Sequence, residues 1–175
     1  MPVDLADYIR DVRDFPKRGI VFKDVMPLFR APEALHEAVE QLAAWIEPRK
    51  PDVILGAEAR GFVLGAALAY RLGIGFVAAR KPGKLPHITI SAKYALEYGV
   101  DSLEIHADAI GPGTRVLVHD DLLATGGTAR AKFDLIEQLG GVVVGAAFLI
   151  ELAFLDGRAR LAPYDVHALI TYDSE

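Results

Sequence analysis

Two adjacent carboxylates, Asp120 and Asp121, end the apolar run "VLVH" and lead directly into "LLATGGTA". Burying two ionised groups side by side is costly, and a plain turn requires neither of them. Acids placed just ahead of a glycine turn can instead accept hydrogen bonds from sugar hydroxyls and stand near a hydrated Mg²⁺. The bland alternative is an acidic pair that caps a turn.

The segment that follows, Ala124 to Thr128, has two glycines that let consecutive backbone N–H groups curl toward one point, with hydroxyls from Thr125 and Thr128. If a helix starts there, its dipole completes an anion cradle. The sequence has neither a G-x-x-x-x-G-K-[ST] loop nor a G-x-G-x-x-G turn, so this is not a nucleoside-triphosphate loop or a dinucleotide fingerprint. Taken alone, a Thr-Gly-Gly-Thr turn is as well explained by an ordinary helix start. The acid pair ahead of it favours a ligand.

Cations gather elsewhere. Arg60 lies in the glycine-flanked turn Glu58-Ala59-Arg60-Gly61, and "ARKPGK" places Arg80, Lys81 and Lys84 within five positions. Arginine offers a planar fork and lysine a point charge, so together they could clamp a phosphate; a solvated loop is the plain reading of the patch alone. A ligand with phosphate at one end, a diol in the middle and more phosphate beyond satisfies all three segments. Phosphoribosyl pyrophosphate has that layout.

The elements that must position these residues alternate between strand and helix. Leu35, Val39, Leu42 and Ile46 share one face of a helix bounded by Pro32 and Pro48. "DVILGA" reads as a buried strand, "RGFVLGAALAYRLG" as a helix closed by Gly73, and "IGFVAA" as a second strand. "TRVLVH", a helix from Thr128 to Leu139, "GVVVGAAFLIEL" and "DVHALITY" repeat the pattern. This predicts an α/β fold with a mostly parallel central sheet flanked by helices, whose ligands lie beyond the carboxyl ends of the strands. The Pro-, Gly- and Tyr-containing stretch 81–100 reads as a long lid loop.

The 175 residues suit a single domain, 1–175, and the 52% apolar and 25% charged content is that of a globular protein. There is no cysteine, so disulfides and thiolate metal sites are excluded, and a reducing, cytoplasmic location is expected. The charged start "MPVDLADYIRDVRDF" has no signal-peptide core, and the longest uncharged run, Gln138 to Ile150, is shorter than the roughly 18 apolar residues of a membrane span. A net charge of −5 argues against nucleic acid as partner. His36, His87, His106, His119 and His167 show no metal-ligand spacing, and no G-x-S-x-G elbow is present.

Five collinear segments carry a more specific signal: "DFPKRGIVFKDVMPLF", "GAEARGFVLG", "RKPGKLP", "YALEYGVDSLEIHADAI" and "VLVHDDLLATGGTA". Over nearly its full length the chain resembles the type I phosphoribosyltransferases, most closely the adenine phosphoribosyltransferases. The resemblance implies an N-terminal base-recognition hood over 1–32 and a flexible catalytic loop over 81–100. It implies that Ala124, Thr125, Gly126, Gly127 and Thr128 hold the ribose 5-phosphate and that Asp120 and Asp121 hold the ribose diol. Glu58, Ala59, Arg60, Arg80, Lys81 and Lys84 would meet pyrophosphate. Val21, Phe22 and Lys23 would read adenine, mainly through main-chain groups. Glu97 and Tyr98, with Arg60, would form the catalytic set.

The activity so implied is Mg²⁺-dependent transfer of the phosphoribosyl group from phosphoribosyl pyrophosphate to adenine, giving AMP and pyrophosphate, by a homodimer that touches neither nucleic acid nor membrane. Magnesium would be held mainly by phosphoribosyl pyrophosphate and water near Asp120 and Asp121, without direct protein ligands. Ala124 occupies the place of an aspartate that addresses purine N7 in the 6-oxopurine enzymes. Because alanine cannot exchange a proton, Glu97 becomes the candidate acid or base. Some relatives carry Asp-Ser at Glu58-Ala59 and arginine at Lys23, which leaves base preference open. Two rivals stand beside this reading: a non-catalytic sensor of phosphoribosyl pyrophosphate, and a phosphoribosyltransferase for xanthine, hypoxanthine/guanine or orotate.

Overall fold

The computed structural model describes residues 3–95 and 99–174. A five-stranded parallel sheet forms its centre, built from β3 (Val53–Ala57), β4 (Gly75–Ala79), β7 (Arg115–Leu123), β8 (Val142–Leu152) and β9 (Val166–Tyr172). The spatial order is β4-β3-β7-β8-β9. Helix α3 (Arg60–Leu72) carries the chain from β3 outward to β4, whereas α4 (Gly127–Gln138) carries it from β7 the opposite way to β8. Neighbouring parallel strands whose connections diverge leave a crevice beyond their carboxyl ends. Here that crevice lies between β3 and β7.

Strands covered on both faces need apolar residues at consecutive positions, and these strands have them. Ile54, Leu117, Ala147 and Leu149 pack with Leu42 of α2 (Pro32–Ile46) and with Leu64 and Leu68 of α3. Leu55, Val116, Val118, Ala146 and Phe148 point to the other face, against Phe133 and Ile136 of α4. Val39, Leu42 and Ile46 are buried as their spacing predicts, while Trp45 lies at the margin, stacked on His167 at 5.0 Å and capped by Arg49.

Two antiparallel hairpins complete the fold. β1 (Arg10–Arg13) pairs with β2 (Val21–Asp24), and the short helix α1 (Met26–Arg30) follows. β5 (Thr89–Ala95) pairs with β6 (Val100–His106), packs on α4, and joins the β4 edge through Arg80 and Glu104, whose N–H groups each donate to the other's carbonyl. Sequence periodicity reads 81–100 as one loop. Among the described residues the structure instead forms a turn followed by β5 and the start of β6; the sequence reads as loop because Ala92 is the one buried residue described in that stretch, so little apolar alternation shows. Glu97 and Tyr98 lie outside the described residues.

Candidate active site

Register brings the chemistry together. Gly56 of β3 lies opposite His119 of β7, so the turn after Ala57 is level with the acid pair. The Glu58 N–H donates to the Ala79 carbonyl at 3.0 Å, which sets the end of β4, and with it Arg80, beside Glu58. Strand β7 does not stop at His119 as the sequence suggests. It continues through Asp120 and Asp121 to Leu123, because Leu122 and Leu123 pair with Ile150 and Glu151 of β8. The acids therefore sit on a rigid strand, and only Ala124 to Gly126 form the turn into α4.

A cavity of about 300 Å³ opens here. Its lining includes Glu58, Arg60, Lys81, Asp120, Asp121 and all of Ala124 to Thr128. Arg80, Lys84 and Ala59 sit at its margin in sequence, outside the lining. The residues expected to read a base are divided. Phe22 approaches the site, with the Arg60 guanidinium 5.0 Å from its ring centre and Phe15 packed edge-on against it. Lys23 instead is buried away from the cavity, paired with Asp11 at 2.8 Å and resting over the Tyr172 ring at 4.2 Å.

The cradle is made of main chain. Gly126 adopts φ +81° as the residue before α4, leaving the first N–H groups of the helix without intrahelical partners. Such a terminus attracts an anion. Gly157 and Arg160, from the short helix α5 (Gly157–Arg160), press on the turn from behind.

The two acids have different environments. Asp120 binds Lys132 Nζ at 2.5 Å through Oδ2 and accepts the Asp121 N–H at 3.0 Å through Oδ1. Burial alone would raise its pKa, but the Lys132 ammonium outweighs that and holds the carboxyl below the usual range. Asp121 faces Arg60 Nε at 2.9 Å in an ion pair whose N–H is not aligned as a hydrogen bond. Burial, followed by the neighbouring Asp120 charge, pushes the Asp121 carboxyl up to about 7. One acid is thus held ionised by a buried cation, and the other is poised to change with its surroundings.

On the far wall Glu58 acts as an organiser. It accepts the Lys81 N–H at 2.6 Å and receives Arg80 through Nε at 3.1 Å and Nη2 at 2.9 Å. That Lys81 N–H, and then Arg80, hold the Glu58 carboxyl below its ordinary range against a desolvation cost. The Lys81 ammonium reaches Asp101 at 3.1 Å, and Asp101 also accepts the Tyr94 hydroxyl, so the basic turn is braced by β6. The Glu58–Ala59 peptide is cis.

Sequence reasoning did not find Lys132, Tyr94 or the α5 support. The one available signal for Lys132 was a charged residue within the apolar face that also carries Ala129, Phe133 and Ile136.

An open parallel sheet with an acid pair and an anion cradle at its switch point defines a sugar-phosphate-binding class of α/β protein. Within that class, the phosphoribosyl transferase domain family matches residues 31–171. An adenine phosphoribosyltransferase of Rubrobacter xylanophilus is 61% identical over 96% of this chain and 91% of its own length. The Thermotoga maritima enzyme of the same name is 54% identical over 97% and 98% respectively. The crystal structure of the adenine phosphoribosyltransferase from Thermoanaerobacter pseudethanolicus superposes with a TM-score of 0.94 at 55% identity, over 96% of this chain and 98% of that one. The Saccharomyces cerevisiae enzyme, crystallised with a bisphosphorylated iminoaltritol and adenine, gives 0.90 at 40% identity, over 94% and 96%. The chain belongs to the phosphoribosyltransferase family, on its adenine phosphoribosyltransferase branch.

Proposed function

We infer that this chain transfers the phosphoribosyl group from phosphoribosyl pyrophosphate to adenine, producing AMP and pyrophosphate, as in purine salvage. The observation that carries this reading is the single cavity in which Asp120, Asp121 and the Ala124–Thr128 cradle face Glu58, Arg60 and Lys81. Acid pair, anion cradle and basic wall match the diol, the 5-phosphate and the pyrophosphate of one substrate.

In this reading the N–H groups at the start of α4 and the hydroxyls of Thr125 and Thr128 take the 5-phosphate. Asp120 and Asp121 accept hydrogen bonds from the ribose hydroxyls. As the sugar approaches Asp121, Arg60 is displaced from its ion pair toward the leaving group. Adenine N9 forms the new bond to the anomeric carbon as the bond to pyrophosphate breaks, and the leaving group departs with its electron pair. Arg60, Arg80, Lys81 and Lys84 stabilise the charge gathering there. Arg80 is held in place by Glu58 and the Lys81 ammonium by Asp101, so these two cations need little reorganisation.

The resident donor set bears on Mg²⁺. Among the described residues no three His, Cys, Asp or Glu side chains form a metal cage, and Asp120 and Asp121 already face cations. That arrangement suits a Mg²⁺ carried mainly by substrate oxygens and water, which neutralises the leaving pyrophosphate when bound. Adenine would lie beside Phe22 under the N-terminal hairpin, recognised by main chain at Val21 to Lys23. Glu97 and Tyr98 would close over the site, with Glu97 exchanging the adenine proton. A homodimer and a cytoplasmic setting belong to the same reading; among the described residues no helix is long and apolar enough to cross a membrane.

The test is pyrophosphate release from phosphoribosyl pyrophosphate and Mg²⁺ with adenine, hypoxanthine, guanine, xanthine or orotate. Turnover confined to adenine is expected. Turnover with a different base would overturn the assignment of Val21 to Lys23. Binding without turnover for every base would leave a sensor of phosphoribosyl pyrophosphate.

A further inference from the structure

Lys132 is fully buried, on a helix face otherwise occupied by Ala129, Phe133 and Ile136. Its Nζ lies 2.5 Å from Asp120 Oδ2 and 3.2 Å from the His119 carbonyl. Taking an ammonium out of water is costly, and an apolar residue of similar volume commonly packs such a site at least as well. Stability therefore gives little reason for the lysine. Its position gives a better one.

The Asp120 carboxylate is fixed at both oxygens, by Lys132 on one side and the Asp121 N–H on the other. Asp121, by contrast, faces Arg60, whose side chain is 40% exposed. A buried partner cannot be displaced by an arriving ligand, whereas an exposed one can. We propose that Lys132 is a positioning residue for the transferase reaction: acting through Asp120, it presents a fixed, ionised acceptor to the ribose diol, while Asp121 and its displaceable partner Arg60 adapt to the substrate. This rests on the assignment of Asp120 to the ribose.

The experiment measures KM for phosphoribosyl pyrophosphate, KM for adenine, kcat and thermal midpoint for wild type, Lys132→Met, Asp120→Asn and the double variant. Loss of one charge-assisted hydrogen bond corresponds to roughly a tenfold to hundredfold change. Lys132→Met is expected to raise KM for phosphoribosyl pyrophosphate by about that factor, with KM for adenine within about twofold of wild type. Adding Lys132→Met to Asp120→Asn should change nothing further, because the residue it acts through is already neutral. Wild-type kinetics for Lys132→Met would overturn the proposal. So would a further loss in the double variant, or equal rises in both KM values. If Lys132→Met alone fails to fold, the comparison of Asp120→Asn with the double variant decides: equal KM supports the proposal and a further rise overturns it. Wild-type KM for Asp120→Asn would instead remove the ribose assignment beneath it.

Discussion

A β-carbon at Gly126 would lie 2.6 Å from the carbonyl oxygen of Gly157. The turn into α4 and the start of α5 are therefore in backbone-to-backbone contact, and the shape of the anion cradle is set from behind by a segment about thirty residues downstream. Gly126 also has φ +81°, a conformation that costs an L-residue roughly 1–2 kcal/mol. The Gly126→Ala variant combines strain and collision, so the turn must move. KM for phosphoribosyl pyrophosphate should rise by at least about tenfold, and the Kd for AMP with it. Titration calorimetry with AMP checks this; an unchanged Kd would place the 5-phosphate elsewhere.

Gly61 makes the corresponding approach on the other side of the crevice. A β-carbon there would lie 2.8 Å from Asp120 Oδ1. Alanine is favoured over glycine within a helix by roughly 1 kcal/mol, so Gly61→Ala has a local gain to set against displacement of Asp120. The expected result is a thermal midpoint within a few degrees of wild type together with a several-fold rise in KM for phosphoribosyl pyrophosphate. Full activity in this variant would show that Asp120 can shift without consequence for the sugar.

Much of this site was legible in the sequence, because strand ends, glycine turns and clustered cations are local features. The turn Glu58 to Gly61, Lys81, and Asp120 to Thr128 all fall where the alternation of strand and helix places them. What escaped were relationships between distant segments. Lys132 reaches Asp120 from a separate element, Arg60 meets Asp121 across two strands, and α5 supports the cradle from near the end of the chain. Two carboxylates interrupt the apolar run and conceal the full length of β7. Only pairing of Leu122 and Leu123 with β8 shows that the strand goes on. The β5–β6 hairpin was missed because its exposed face carries Ser91 and Lys93 and its buried face is short.

Glu58 binds no anion itself in the proposed mechanism, yet it orients Arg80 and the Lys81 N–H. Glu58→Gln keeps the shape and removes the charge that pairs with Arg80. Inhibition by pyrophosphate should weaken by about fivefold to tenfold, with inhibition by AMP nearly unchanged, because the 5-phosphate cradle lies on the opposite wall. Equal weakening of both inhibitors would mean that Glu58 supports the whole cavity and not the pyrophosphate wall alone.

Two buried groups give the fold opposing pH dependences. His119 is fully enclosed, its Nδ1 2.9 Å from the Ala147 carbonyl and its Nε2 without a partner, and burial lowers its pKa from 6.5 to about 4. Between those values the unfolded chain binds a proton that the folded protein refuses. This contribution therefore destabilises the fold as pH falls from 6.5 toward 4, by about 3 kcal/mol in all. Asp121 works the other way: with its carboxyl raised from 3.8 to about 7, the folded protein binds the extra proton, and stability is lost as pH rises through that window. In wild type the two partly offset each other. His119→Leu removes only the first, so its stability relative to wild type should improve steadily between pH 7 and pH 4.5. Urea unfolding at several pH values checks this, and a constant difference between the two proteins would mean that His119 takes up its proton as readily in the fold as in the unfolded chain.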